Sequence, residues 1–320
     1  MIAHHPIPLD AIRLAQKRIA GIALRTPLVR LNLEDAPAEI YLKLENLQPV
    51  GSFKLRGAVN AMLGLDHDQL AHGLWTASAG NMAQAVAWVA RRLGIPCTVI
   101  LPDDTPGVKL SAIERLSAKI MKVPFADYQA IQREHAYAGM EGLLIHPFGD
   151  DPVMAGNGTI GLEILEDLPD VDVVIAPYGG GGLSCGIASA IKASKPQVKV
   201  YAAEVETAAP LAASLAAGEP VAVPYTSSFI SGMGAPFVFP EMWPLASRLL
   251  DGALVVTLRQ AADAIRFLVE LHHVIAEGAG AVALAAALTG KAGGGKITCI
   301  VSGGNLDPAK LIHILQGIIP

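Results

Sequence analysis

A chain of 320 residues, 52% hydrophobic and only 17% charged, can fill one large α/β unit or two unequal ones with an ample apolar interior. Its formal net charge of −5, without any block of lysine and arginine, excludes a surface made for nucleic-acid phosphates. The mean hydropathy is +0.43, yet the most apolar stretch, Gly278 to Leu288, is far shorter than a bilayer span and reads as a buried helix. Met1 to Asp10 has no apolar run after a basic start, so no secretory leader is expected. Cys97, Cys185 and Cys299 lie too far apart for a CxxC pair or a disulfide framework. They read as reduced core thiols of a cytoplasmic protein.

Along the chain, short β-branched runs end in polar or glycine-rich turns and alternate with helix-like segments. The first such region, Leu42 to Ala58, reads as a strand, a Pro/Gly turn and a helix start, with Lys54 beside Phe53. A lysine shielded from water can lose its proton and form a Schiff base, although a lone lysine is more often a solvated charge. A strand at Leu74–Ser78 follows and runs into a helix at Asn81–Leu93. The free N–H groups there, with Ser78 and Asn81, suit a carboxylate; an ordinary helix cap reads the same way. Next come a strand at Cys97–Pro102 and a helix at Lys109–Ser117.

Val173–Pro177 is an apolar strand, followed directly by Tyr178, then Gly179, Gly180, Gly181 and Gly182, then Leu183 and a helix-like Cys185–Lys192. Four glycines let several N–H groups point into one concavity at a helix start, which is an anion cradle. It is neither a Walker loop nor a dinucleotide fingerprint, because the following Gly-Lys-Ser/Thr and the required glycine spacing are absent. A strand at Val200–Glu204, a helix at Gln260–His272, a glycine-rich turn at Gly290–Lys296 and a strand at Ile297–Ser302 complete the series. The last runs into Val301-Ser302-Gly303-Gly304-Asn305, where Ser302 can meet a heterocycle or simply shape a turn. Strands apolar on both faces, alternating with helices, indicate parallel sheets covered on both sides. In such sheets ligands bind beyond the carboxyl ends of the strands, where these turns lie.

Together these segments resemble the serine/threonine dehydratases (threonine ammonia-lyases) and serine racemases, which are fold-type II pyridoxal-phosphate (PLP) enzymes. The resemblance runs from about Ala11 to the C-terminus and is most specific at Ser52-Phe53-Lys54-Leu55-Arg56-Gly57-Ala58. Relatives that perform β-replacement tend to have Lys-Asp-Arg where this chain has Lys54-Leu55-Arg56. The resemblance implies an α/β fold of the tryptophan synthase β type, with two open, twisted, mostly parallel sheets and flanking helices. It implies a large PLP-binding domain at 1–70 and 150–320 and a small, mobile domain at 71–149. Lys54 would hold PLP as a Schiff base and act as the catalytic base, with Phe53 packed on the pyridine ring. Asn81 would bond the phenolic oxygen, Gly179 through Leu183 the phosphate, and Ser302 the pyridine nitrogen, with Glu277 nearby. Ser78, also catalytic, would take the substrate carboxylate within a substrate loop of Ser78, Ala79, Gly80, Asn81 and Met82.

The reaction implied is elimination of ammonia from a β-hydroxy amino acid such as L-threonine or L-serine, in a cytoplasmic homodimer without nucleic-acid or membrane partners. Serine or amino-acid racemisation, and dehydration of 3-hydroxyaspartate or 3-phenylserine, are the alternatives. Met82 stands where most relatives have histidine, Phe148 replaces an asparagine of the racemases, and Ser231-Gly232 replaces Asp-Gly; these departures bear on the substrate. The end at Pro320 leaves no room for an isoleucine-sensing domain. No metal is expected. Glu204 keeps the first ligand position of the metal-activated racemases, but Pro210 stands at the second carboxylate, with Glu206 as a possible substitute. His4-His5 and His272-His273 lack the spacing of a helix-borne metal pair.

Overall fold

The computed structural model describes residues 4–320. In chain order the strands are β1 (Leu28–Arg30), β2 (Glu39–Lys43), β3 (Leu74–Ala77), β4 (Cys97–Pro102) and β5 (Lys119–Val123). They continue with β6 (Leu143–Leu144), β7 (Val173–Pro177), β8 (Lys199–Val205), β9 (Gly252–Val256) and β10 (Lys296–Ile300). A six-stranded sheet has the order β1-β2-β10-β7-β8-β9, and a four-stranded sheet has the order β5-β4-β3-β6. Every pairing is parallel except that of β1 with β2. This is the α/β arrangement of two mostly parallel sheets with flanking helices that the resemblance implies. The chain leaves the larger sheet after β2, builds the smaller one between Leu74 and Leu144, and then returns.

Alternation along the central strands divides the interior in two, because successive side chains of a strand point to opposite faces. Val174, Ala176, Val200 and Ala202 join a core with the helices Leu9–Ile19, Asp151–Asp167 and Gly182–Ser194. Val173, Ile175, Ala203 and Cys299 face the other way, onto the helices Leu258–His272 and Gly278–Leu288. Both faces are covered, which is why β7 is buried at all five positions. The apolar stretch Gly278–Leu288 is indeed a buried helix. No helix among the described residues is long and apolar enough to cross a membrane. The three cysteines are unpaired, and burial pushes the thiols of Cys97 and Cys185 up to about 12.

Most predicted elements appear close to their expected bounds. The helix expected at Lys109–Ser117 is an exception and runs over Gly107–Glu114. Ser117 has φ 61°, a left-handed conformation that no helix interior accommodates.

Candidate active site

The turns at the carboxyl ends of β3, β7 and β10 come together with the turn before Lys54. Phe53 N donates to Ser302 O at 3.0 Å and Gly304 N to Gly51 O at 2.9 Å, so the segment after β10 is laced to the Gly51–Phe53 turn. Lys54 is the first residue of the helix Lys54–Leu63. Its Nζ lies 5.0 Å from the centre of the Phe53 ring and donates to Pro147 O. Burial lowers the Lys54 pKa to about 8, with the nearby Glu277 carboxylate opposing the shift. At that value the ammonium still predominates at pH 7, with about a tenth of the amine unprotonated.

The glycine loop lies directly beyond β7. The first bond of the helix Gly182–Ser194 runs from Cys185 N to Gly181 O at 2.9 Å, so the N–H groups of Gly182, Leu183 and Ser184 have no carbonyl of their own helix to bond. Gly181 has φ +89°, which favours glycine. Gly180 and Gly182 are required for another reason. A Cβ on Gly180 would lie 2.3 Å from Phe148 Cγ, and one on Gly182 would lie 2.4 Å from Phe148 O. The Pro147–Phe148 dipeptide thus sits between the lysine amine and the glycine loop, touching both.

Asn81 opens the helix Asn81–Leu93, and its amide is held at both ends. Nδ2 donates to Glu277 Oε1 at 2.6 Å, and Oδ1 accepts from Asn305 Nδ2 at 2.8 Å. One N–H donor of Asn81 remains for another acceptor. Glu277 is buried. Burial pushes its carboxyl up to about 7 against the pull of Asn81, Lys109 and Lys54. A Cβ on Gly303 would lie 2.4 Å from Glu277 Oε1, so the turn after Ser302 closes tightly over this carboxyl. Ser302 itself is buried. Ser78 Oγ accepts from Gly80 N at 3.2 Å, which shapes the turn and engages one of its amides. Ala79 is half-buried and packs against Ala83, Val99, Leu101 and Ile113.

Met82 does not fit its expected place in the substrate loop. One residue on from Asn81 is a rotation of about 100° about the helix. Its side chain accordingly points into the core with Leu55, Val59, Ile145 and Val153, and is 1% exposed. Glu204 is also committed elsewhere. Its carboxylate accepts from Leu211 N at 2.9 Å and Ala212 N at 2.8 Å, capping the helix Pro210–Ala217. Glu206 likewise accepts from Leu258 N at 2.9 Å. Among the described residues, no three His, Cys, Asp or Glu side chains are grouped to hold a metal ion.

A half-buried amine of lowered pKa, an anion cradle at a helix start and a buried Ser302 bonded to the turn before Lys54 fit a phosphate-bearing aldehyde cofactor. The comparisons with known proteins agree. Residues 19–303 match the family described as "Pyridoxal-phosphate dependent enzyme". The chain belongs to this family. Its cofactor is pyridoxal phosphate. It is similar to the L-threonine ammonia-lyase of Thermotoga maritima, at 40% identity over 97% of this chain and 78% of that protein. It is also similar to the catabolic L-threonine dehydratase of Escherichia coli, at 37% identity over 97% of this chain and 96% of that one. Among solved structures, maize serine racemase superposes with a TM-score of 0.87 at 34% identity, covering 98% of both chains.

Within this family frame the glycine loop is directly testable. Gly180→Val is expected to lower cofactor affinity at least about tenfold, ~1.4 kcal/mol. Cofactor retained after dialysis measures it. The added side chain strikes Phe148 before anything else, so Gly180→Val combined with Phe148→Ala should recover folding stability. A Gly180→Val protein with full cofactor occupancy would show that the loop tolerates a side chain.

Several residues at this site had no role assigned from the sequence, although Asn305 ends the turn read after Ser302. Asn305, Pro147 and Gln132, which donates to Ala77 O behind the Ser78 turn, reach the site through tertiary contacts. Tyr128 lies beside Ala79 on the same helix as Gln132, and burial pushes its phenol up to about 12.

Proposed function

We propose that this chain is an ammonia-lyase that converts a small β-hydroxy amino acid, such as L-threonine or L-serine, to a 2-oxo acid and ammonia. The observation that carries this reading is the pairing of Lys54 with the glycine loop. The amine bonds Pro147 O, and the next residue, Phe148, lies against Gly180 and Gly182. A cofactor anchored at both places has its reactive carbon beside the lysine.

Bound pyridoxal phosphate supplies the electron sink that makes the Cα–H bond acidic. The N–H groups of Gly179 to Leu183 would hold its phosphate, and Ser302 would be the neutral partner of its ring nitrogen. Asn81, oriented by Glu277 and Asn305, offers its remaining N–H. Phe53 flanks the ring, and Ser78 with the adjoining amides receives the substrate carboxylate. The Lys54 amine would accept the Cα proton, and a pKa near 8 suits it to this role near neutral pH. Loss of that proton and of the β-hydroxyl, followed by hydrolysis, gives the 2-oxo acid and ammonia. Residues 71–149 act as the closing unit over the substrate, and the setting is a cytoplasmic homodimer.

Among the departures from the racemases, one bears directly on inversion. Inversion at Cα needs an acid on the face opposite Lys54, and the methyl group of Ala79 can neither give nor take a proton. With L-serine and L-threonine the protein should release 2-oxo acid with little D-isomer or C-2 epimer, as followed by chiral chromatography. Ala79→Ser should raise isomerisation relative to elimination about 10²-fold, the lower end of what a placed acid contributes. Isomer formed as fast as 2-oxo acid by the unmodified protein would overturn the assignment of elimination.

A further inference from the structure

His146 lies in the turn that carries the chain from β6 into the helix Asp151–Asp167, and it is 1% exposed. Its Nδ1 accepts from Gly149 N at 2.8 Å. A backbone N–H can only donate, so the ring proton belongs on Nε2, which faces Gln132 O at 3.3 Å. His146 N donates to Asp150 Oδ2 at 2.8 Å. The ring stacks on His135 at 3.9 Å between centroids and meets the Phe148 ring edge-on at 4.5 Å. A Cβ on Gly149 would lie 2.9 Å from His146 Nδ1, so the turn is drawn tightly around the imidazole.

Between His146 and Phe148 stands Pro147, whose carbonyl receives Lys54 Nζ. We propose that His146 is a positioning residue for the Lys54 amine: as a neutral ring protonated on Nε2, it holds the turn that aims Pro147 O at Nζ and seats Phe148 on the glycine loop. This rests on the reading of Lys54 given above. The surroundings keep the ring in that state. Burial, with His135, Lys54 and His4 nearby, lowers the His146 pKa to about 3, while Gln132 O opposes. Asp150, the one carboxylate bonded to this turn, is occupied by the His146 N–H and is itself raised by burial.

The test is the rate at which full-length, cofactor-stripped protein takes up pyridoxal phosphate, followed across pH by the visible absorbance of the linkage to Lys54. His146→Phe keeps the stack and removes the acceptor for Gly149. It should slow loading about tenfold, the equivalent of one hydrogen bond to a charged group. Because a carbonyl acceptor favours the ammonium form, its loss should also move the pH midpoint of loading down by about one unit. His146→Asn, whose side-chain oxygen replaces Nδ1 as acceptor, should restore most of both. A purely structural role would reduce the amount of active protein and leave the midpoint in place. Parental rate and midpoint in His146→Phe, or equal impairment of both variants, would overturn the proposal. If the variants do not fold, the nitrogen spectrum of His146 in the unmodified holoenzyme decides. An Nε2–H neutral ring, unchanged between pH about 6 and about 9, supports the proposal; an Nδ1–H tautomer or a titrating ring overturns it. Should Lys54→Ala still form the covalent linkage, the reading of Lys54 falls and this one with it, whereas failure confined to the His146 measurements overturns this proposal alone.

Discussion

Lys54→Ala is expected to abolish both the visible absorbance of the cofactor linkage and the release of 2-oxo acid, by at least about 10³-fold for the loss of nucleophile and base together. Ala has no amine to condense with the cofactor and nothing to receive the Cα proton. The loss should not come from unfolding. Burial disfavours the Lys54 ammonium, with Glu277 and the Pro147 carbonyl opposing, so removing it relieves a desolvation cost in the cofactor-free protein. Urea midpoints of the cofactor-free forms should therefore be equal or higher in Lys54→Ala. Lys54→Arg separates charge from chemistry: the guanidinium keeps the positive charge beside Glu277 but stays protonated and forms no Schiff base. It should be as inactive as Lys54→Ala. If either variant released 2-oxo acid at an appreciable fraction of the parental rate, Lys54 would not be the catalytic amine.

Lys54 and the glycine loop were legible in the sequence because each is a local pattern at a strand's carboxyl end. The helix Asn81–Leu93 and most of Leu258–His272 were legible from apolar residues at helical spacing; the second starts two residues before the expected Gln260, behind a Thr257–Gln260 capping box. The 17-residue helix Asp151–Asp167 was not. Gly156, Gly158 and Gly161 give it poor intrinsic propensity, and the reason for them is non-local. A Cβ on Gly156 would lie 2.4 Å from Arg56 O, and one on Gly158 would lie 2.9 Å from Gly186 O. These glycines let the helix press against the Lys54 and Gly182 helices, a packing that no window of sequence reveals. Short β6 and half-exposed β5 likewise lack the apolar runs that marked β7 and β10. Within the site, Met82 was misplaced because sequence adjacency to Asn81 does not mean a shared helix face. Pro147, His146 and Asn305 contribute through contacts to residues distant in the chain, so their chemistry has no signature of its own.

Arg56→Met is expected to destabilise the protein by about 3–5 kcal/mol, the usual result of breaking a buried ion pair from one side. The Arg56 side chain is 1% exposed. It donates to both oxygens of Glu45 at 2.8 Å and to the two oxygens of Glu163 at 2.6 and 2.9 Å. Lys43 Nζ lies 2.6 Å from Glu163, so two cations and two carboxylates balance in the interior. This cluster fixes the helix that begins with Lys54 onto β2 and onto the helix Asp151–Asp167. Removing Arg56 leaves one negative charge in excess. Arg56→Met with Glu45→Leu restores neutrality, because Lys43 still pairs with Glu163, and it should regain more than half of the loss. The pH dependence follows from Glu45. Burial alone would raise its pKa, but Arg56, with Thr26 and Lys43, outweighs that and holds the carboxyl below its ordinary value. The parent therefore has the stabilising contribution of Glu45 in full above its unfolded pKa and loses it as pH falls. In Arg56→Met the balance reverses and burial raises the Glu45 pKa, so the folded variant takes up a proton that the unfolded chain releases. Its deficit should thus be largest near pH about 8 and shrink toward pH about 5, approaching the unfolded carboxyl value of about 4.3. Urea unfolding of both proteins at the two pH values, with saturating cofactor, measures this. A deficit that stayed constant or grew toward pH about 5 would show that Arg56 acts by packing alone and not by holding the Glu45 charge.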